Sequence, residues 1–95
     1  MAPSATVTIR VPAVLRAACN GAAELSLSAG TVRAALEELE RSYPALHRSI
    51  CDETGRIRPH VNLFVNTSRV HHVEGLGTAL EPGDVVSVMP AVSGG

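Results

Sequence analysis

A chain of 95 residues and 9.9 kDa has room for one domain. Its 45% hydrophobic content and mean hydropathy of +0.19 exclude a disordered chain. A net charge of −1 and a pI near 6.4 exclude the basic stripe with which nucleic-acid binders displace phosphate counterions. No apolar run approaches the roughly 20 residues of a membrane span, and the opening MAPSATVTIRVP lacks the charged-then-apolar order of a signal peptide. Cys19 and Cys51 form neither a disulfide framework nor the clustered spacing of a zinc site. The expectation is a reduced, cytoplasmic domain without nucleic-acid or membrane partners.

Thr6 to Val11 alternate, with Val7, Ile9 and Val11 on one side, which is the period of a half-buried strand. Pro12 ends it, and the stretch to Gly21 reads as a turn or loop. A second alternation places Leu25 and Leu27 inward and Glu24, Ser26 and Ser28 outward, so the two strands predict an antiparallel hairpin. Thr31 reads as a helix N-cap. Val32, Leu36, Leu39 and Tyr43 then form one helical stripe. Glu37 and Arg41 have the favourable i,i+4 order on its solvated side, and Pro44 stops the helix.

Ala45 to Ile50 predicts a short helical turn, and Asp52-Glu53-Thr54-Gly55 a loop. Val61, Leu63 and Val65 make a third alternating strand, with Asn62, Phe64 and Asn66 facing the other way. Asn66 to Arg69 turns the chain, and Val70 to Val73 reads as a short edge strand. Glu81-Pro82-Gly83-Asp84 is a tight turn, followed by a last strand, Val85 to Met89, with Val86 and Val88 inward. The order predicts an α+β fold: a sheet of four to five strands with one main helix packed across it.

The last strand runs through Pro90 into Ala91-Val92-Ser93-Gly94-Gly95. One reading is a frayed tail, in which glycine is well tolerated. The other starts from the adjacent strand, which anchors the tail at its base: five extended residues reach roughly 17 Å and can be threaded into another protein's active site. Without Cβ atoms, Gly94 and Gly95 pass a narrow channel in which a carboxylate meets the α-phosphate of ATP.

The run Leu80 to Gly95 resembles the carboxy-terminal signature of the ubiquitin-like MoaD/ThiS sulfur carriers, and Val61-Asn62-Leu63-Phe64-Val65-Asn66 resembles their central strand. The order of elements is similar to that family's β-grasp fold, and the tail looks closest to the CysO-like branch. The resemblance implies a β-grasp domain over residues 1–90 and a flexible diglycine tail over residues 91–95. It implies that Gly95 is adenylated by an activating enzyme that uses ATP, and then carries sulfur as a thiocarboxylate to a sulfur-accepting biosynthetic enzyme making cysteine or another sulfur-containing metabolite. Pro90, Ala91, Val92, Ser93 and Gly94 would thread into the partner's active site. The carrier would be a cosubstrate rather than an enzyme, and would bind no cofactor of its own. Alternatives are the small subunit of molybdopterin synthase, a noncatalytic β-grasp binding module, and a protein modifier.

Strand parity puts Phe64 and Met89 on the face away from the core, where they would form a docking patch; the competing reading is that a loop covers them. Cys19 and Cys51 read as small buried hydrophobes rather than sulfur relays. His71 and His72 point to opposite faces of a strand, and no metal site is expected. All eight basic residues are arginine. The composition of a GC-rich genome accounts for this, but it leaves no side-chain amine to accept an acyl group.

Overall fold

The computed structural model describes residues 5–70 and 74–90. Five strands form one mixed sheet: β1 (Ala5–Arg10), β2 (Glu24–Ala29), β3 (Val61–Val65), β4 (Ser68–Arg69) and β5 (Val85–Pro90). Their order is β2-β1-β5-β3-β4. Among the described residues only the β1–β5 pair is parallel; the others are antiparallel. The hairpin register sets Val7 against Leu27 and Ile9 against Leu25, so the apolar halves of both alternations fall on one face.

That face is covered by α1 (Val32–Ser42) and α2 (Pro44–Ile50). Thr31 caps α1: its extended backbone lets the side-chain oxygen accept from the Ala34 N–H at 3.1 Å. Val32, Ala35, Leu36 and Leu39 turn their stripe onto the sheet. Tyr43 ends the helix, and Pro44 opens α2 at a position whose N–H has no intrahelical partner to lose. Leu46 and Ile50 of α2 are fully buried and close one end of the core. That core is aliphatic throughout and includes both cysteines.

Several expectations need correction. Ala13–Cys19 is a 3₁₀ segment rather than a loop; Asn20 stops it in the left-handed region, φ 59°. Arg41 pairs with Glu38, one turn position nearer than Glu37. A short edge strand forms at Ser68–Arg69, ahead of the expected start at Val70. Asn66 adopts φ 56°, and this tight reversal brings Ser68 opposite Val65 at once. Val70 is buried instead, donating its N–H to the Leu63 carbonyl at 2.8 Å. The remainder of that expected strand, His71 to Val73, lies outside the described residues.

The long loop before β3 is ordered locally. The Asp52 carboxylate accepts from the Thr54 N–H, the Thr54 hydroxyl and the Arg56 N–H, at 2.9, 2.6 and 3.1 Å. Arg58 Nε donates to the Arg48 carbonyl at 2.8 Å, satisfying an orphan acceptor in the last turn of α2.

Candidate functional site

β5 positions the site. Its start is fixed by the Glu81–Asp84 turn, where the Asp84 N–H donates to the Glu81 carbonyl at 3.0 Å and Gly83 takes φ 88°. Asn66 clasps this turn to the end of β3. Its amide nitrogen donates to the Asp84 carboxylate at 3.1 Å, and its amide oxygen accepts from the Val85 N–H at 3.0 Å. Two hydrogen bonds, the larger from the Glu81 N–H and the second from Asn66, hold the Asp84 carboxyl below its ordinary pKa.

From that fixed start β5 runs beside β1 only as far as Ser87, which pairs with Arg10. It continues beside β3 to Pro90, whose Cα partner is Val61. The missing N–H of proline is tolerated at a strand end that has lost one neighbour. Pro90, expected to thread into a partner with the tail, is therefore paired within β5 and is the last paired residue among those described. Ala91, Val92, Ser93, Gly94 and Gly95 lie outside the described residues.

The outer sheet face, opposite the helices, is mostly polar. On it the β3–β5 register sets Asn62 against Met89 and Phe64 against Ser87, which places Val85 and Met89 diagonal to Phe64. Met89 is 53% exposed, and Phe64 and Val85 are half-buried. The sequence parity for Phe64 and Met89 holds, and the structure adds Val85 beside them. One cross-strand row reads Glu24, Arg10, Ser87, Phe64, Arg69. Arg69 donates to the Asn62 side-chain carbonyl at 2.8 Å. The apolar patch is thus bordered by two arginines that the sequence reading did not connect to it. Alternation assigns a face, but only the strand order brings Arg10 and Arg69 to opposite sides of Phe64.

A cleft of about 430 Å³ opens where β5 outruns β1. Arg10, Pro12, Arg16 and Met89 are among its lining residues. Arg16 Nε donates to the Val11 carbonyl at 3.0 Å, which ties the 3₁₀ segment to the end of β1. A second cleft, about 470 Å³, lies between the helices and the Asp52–Gly55 loop, with charges of both signs around it. Cys51 borders this cleft but is 1% exposed. Burial first, and the neighbouring Asp52 charge second, push its thiol up to about 11. Cys19 is equally enclosed, as expected of a small hydrophobe. Among the described residues, no three His, Cys, Asp or Glu side chains converge as a metal-ligand group.

The chain matches the model of the ThiS family over residues 9–95. It belongs to that family. It is 35% identical over 91 residues to the sulfur carrier protein CysO of Mycobacterium tuberculosis, covering 94% of this chain and 98% of the relative. It is 43% identical over 65 residues to small archaeal modifier protein 3 of Haloferax volcanii, covering 68% and 70% of the two chains. The crystal structure of M. tuberculosis CysO superposes with a TM-score of 0.81 at 34% identity, covering 90% of this chain and 99% of that one. CysO in the Amycolatopsis orientalis BexX/CysO complex gives 0.83 at 26% identity, covering 94% and 99%. These likenesses agree with the β-grasp fold that the family resemblance implied.

Proposed function

We propose that this protein is a sulfur carrier, acting in the cytoplasm as a cosubstrate rather than a catalyst. The Gly95 carboxylate attacks the α-phosphorus of ATP on an activating enzyme, and pyrophosphate leaves. A sulfur nucleophile then attacks the acyl carbon and AMP leaves, so that one carboxylate oxygen is replaced by sulfur. The thiocarboxylate sulfur bonds to the acceptor on a biosynthetic enzyme, making cysteine or another sulfur-containing metabolite; water then cleaves the acyl–sulfur bond and supplies the oxygen with which the Gly95 carboxylate returns. ATP belongs to the activating enzyme; the carrier holds no cofactor.

The observation that carries this reading is the build of β5. One strand, locked at its start by Asn66 and the Glu81–Asp84 turn, bears Met89 on the outer face and leads at Pro90 directly into Ala91-Val92-Ser93-Gly94-Gly95. A partner that docks on Phe64, Val85 and Met89 receives the tail at a fixed distance from that contact. Arg10 and Arg69 border the patch and favour a partner with an acidic rim. The CysO relatives, named as sulfur carriers, support the same chemistry.

The test is ATP–pyrophosphate exchange by the activating enzyme with the full chain, with a chain lacking Gly95, and with a Phe64→Ala/Met89→Ala double variant. Loss of exchange without Gly95, and a carrier concentration requirement raised at least about tenfold in the double variant, are the expected results. Undiminished exchange without Gly95 contradicts the proposal.

A second reading is conjugation, in which a lysine of another protein takes the place of sulfur. The relative named small archaeal modifier protein 3, at 43% identity, favours it, as does the 36% identical small archaeal modifier protein 1 of Methanosarcina acetivorans, TM-score 0.79, covering 97% of this chain and 98% of that one. Isopeptides joining Gly95 to lysines of other proteins, found by mass spectrometry of cell extracts, would establish it.

A further inference from the structure

β2 is the outermost strand of the sheet, at the edge opposite β4. Its pairing phase is fixed by two sets of hydrogen bonds. The Val11 N–H donates to the Ala23 carbonyl at 2.8 Å, and residues along an antiparallel ladder alternate between bonded and non-bonded pairs. The β1–β2 register therefore turns the backbone groups of Leu25, Leu27 and Ala29 towards β1. On β1 itself, the Thr8 N–H donates to the Asp84 carbonyl and the Thr6 carbonyl accepts from the Gly83 N–H, both at 3.0 Å on the β5 side. Their cross-strand partners Ser26 and Ser28, and Glu24 with them, accordingly aim N–H and C=O off the outer edge of β2. Among the described residues no segment pairs with that edge. The chain is next engaged at Gly30, whose carbonyl accepts from the Leu80 N–H at 2.9 Å.

Edge strands are ordinarily blunted by a bulge, a proline, a run of charge or extreme shortness. β4, at the other edge, has two residues. β2 has six, in unbroken one-to-one register, with neither Pro nor Gly and with its one charged side chain, Glu24, at the first position. We infer that the free edge of β2 takes an extended, basic segment of a partner protein as an added strand. The inference does not rest on the sulfur-carrier reading. β1 lies between β2 and β5, so a strand added there leaves Phe64 and Met89 uncovered.

The sign of the partner's charge follows from α1. Ala34, Glu37, Glu38 and Arg41 form one stripe of that helix, and with Ser28 and Ala29 of β2 they line a cleft of about 450 Å³. Glu40 extends its rim. Arg41 is paired with Glu38, whereas Glu37 and Glu40 are exposed and make no salt bridge among the described residues. A strand laid on β2 turns alternate side chains to the outer face, beside Ser26 and Ser28, and to the inner face, past Leu25 and Leu27 towards this cleft. Arginine or lysine at the inner positions meets the glutamates, and an acidic segment is repelled. A second copy joined edge to edge about a two-fold axis brings two glutamate rims together, so the same charges disfavour β2–β2 pairing.

The experiment titrates a blocked heptapeptide, alternating threonine with arginine, into the isotope-labelled full chain and follows amide NMR and hydrogen exchange. Without peptide, the Ser26 and Ser28 amides should exchange freely while those of Leu25 and Leu27 are protected. The peptide should shift and protect Ser26 and Ser28 saturably. Glu37→Gln/Glu40→Gln should raise its Kd at least about threefold at low salt, and a heptapeptide alternating threonine with glutamate should not bind. Ser26→Pro removes one outward N–H and leaves the β1 ladder intact; it should weaken binding. A copy of the arginine peptide N-methylated at every amide, which leaves the protein unaltered, should not bind. Absent shifts, shifts confined to the surroundings of Phe64 and Met89, equal binding by the N-methylated or the glutamate peptide, or an unchanged Kd in Glu37→Gln/Glu40→Gln would overturn the inference. So would protection of Ser26 and Ser28 that rises with protein concentration in the absence of peptide, the mark of β2–β2 pairing. The carrier reading is untouched by any of these results and fails on separate grounds, if the chain takes up no sulfur from activating enzyme, ATP and sulfide.

Discussion

Asn66 joins a backbone requirement to a hydrogen-bonding one. Its φ of 56° is tolerated better by asparagine than by most residues, and its side chain both donates to Asp84 and accepts from Val85. Asn66→Ala should lower stability by about 1–2 kcal/mol, and Asn66→Gly, which removes only the hydrogen bonds, by less; urea unfolding of the pair measures the split. The Asp84 and Asp52 carboxyls, held low mainly by the Glu81 N–H and by Thr54 respectively, stabilise the fold above the ordinary carboxylate pKa. That contribution is lost as pH falls through their lowered folded values. Cys51 works in the opposite direction. With a folded value of about 11 against an ordinary thiol value of 9.0, its contribution is full below pH 9 and disappears as pH rises towards 11. Cys51→Ala should flatten the stability profile in that window, and alkylation of the wild-type thiol should require unfolding.

The helix and the sheet faces carry predictions at the scale of elements. Thr31→Ala removes the acceptor for the Ala34 N–H and should cost about 1 kcal/mol, read as a lower urea midpoint with unchanged slope. The Phe64→Ala/Met89→Ala variant should leave that midpoint nearly unmoved while weakening partner binding, because both side chains lie on the outer face. Period-two patterns in β1, β2, β3 and β5 were legible because each strand has one buried face and no Pro or Gly within its alternation. The Thr31 cap and the Pro44 break were legible because both act through local backbone chemistry. The Pro12–Gly21 stretch was not, because 3₁₀ turns lack a distinctive apolar period. The strand at Ser68–Arg69 was missed because its position depends on one left-handed residue, Asn66. The arginines bordering Phe64 depended on the β2-β1-β5-β3-β4 order, which no local pattern in the chain encodes.

At the scale of the whole molecule, the sheet holds β5 from both sides at its start and from one side at its end, with helices behind and the face that bears Phe64 and Met89 in front. The order places the tail's root beside Met89 and the Arg10–Arg16 cleft, and leaves the two thiols inside the core. In the proposed function Gly95 is the reactive position and the domain its handle. The most direct measurement is the intact mass of the chain after incubation with an activating enzyme, ATP and sulfide, beside a chain lacking Gly95. A gain equal to one oxygen replaced by sulfur in the full chain, and none in the shortened one, is the predicted result. An unchanged mass, while the same enzyme loads a known carrier in a parallel reaction, would contradict it.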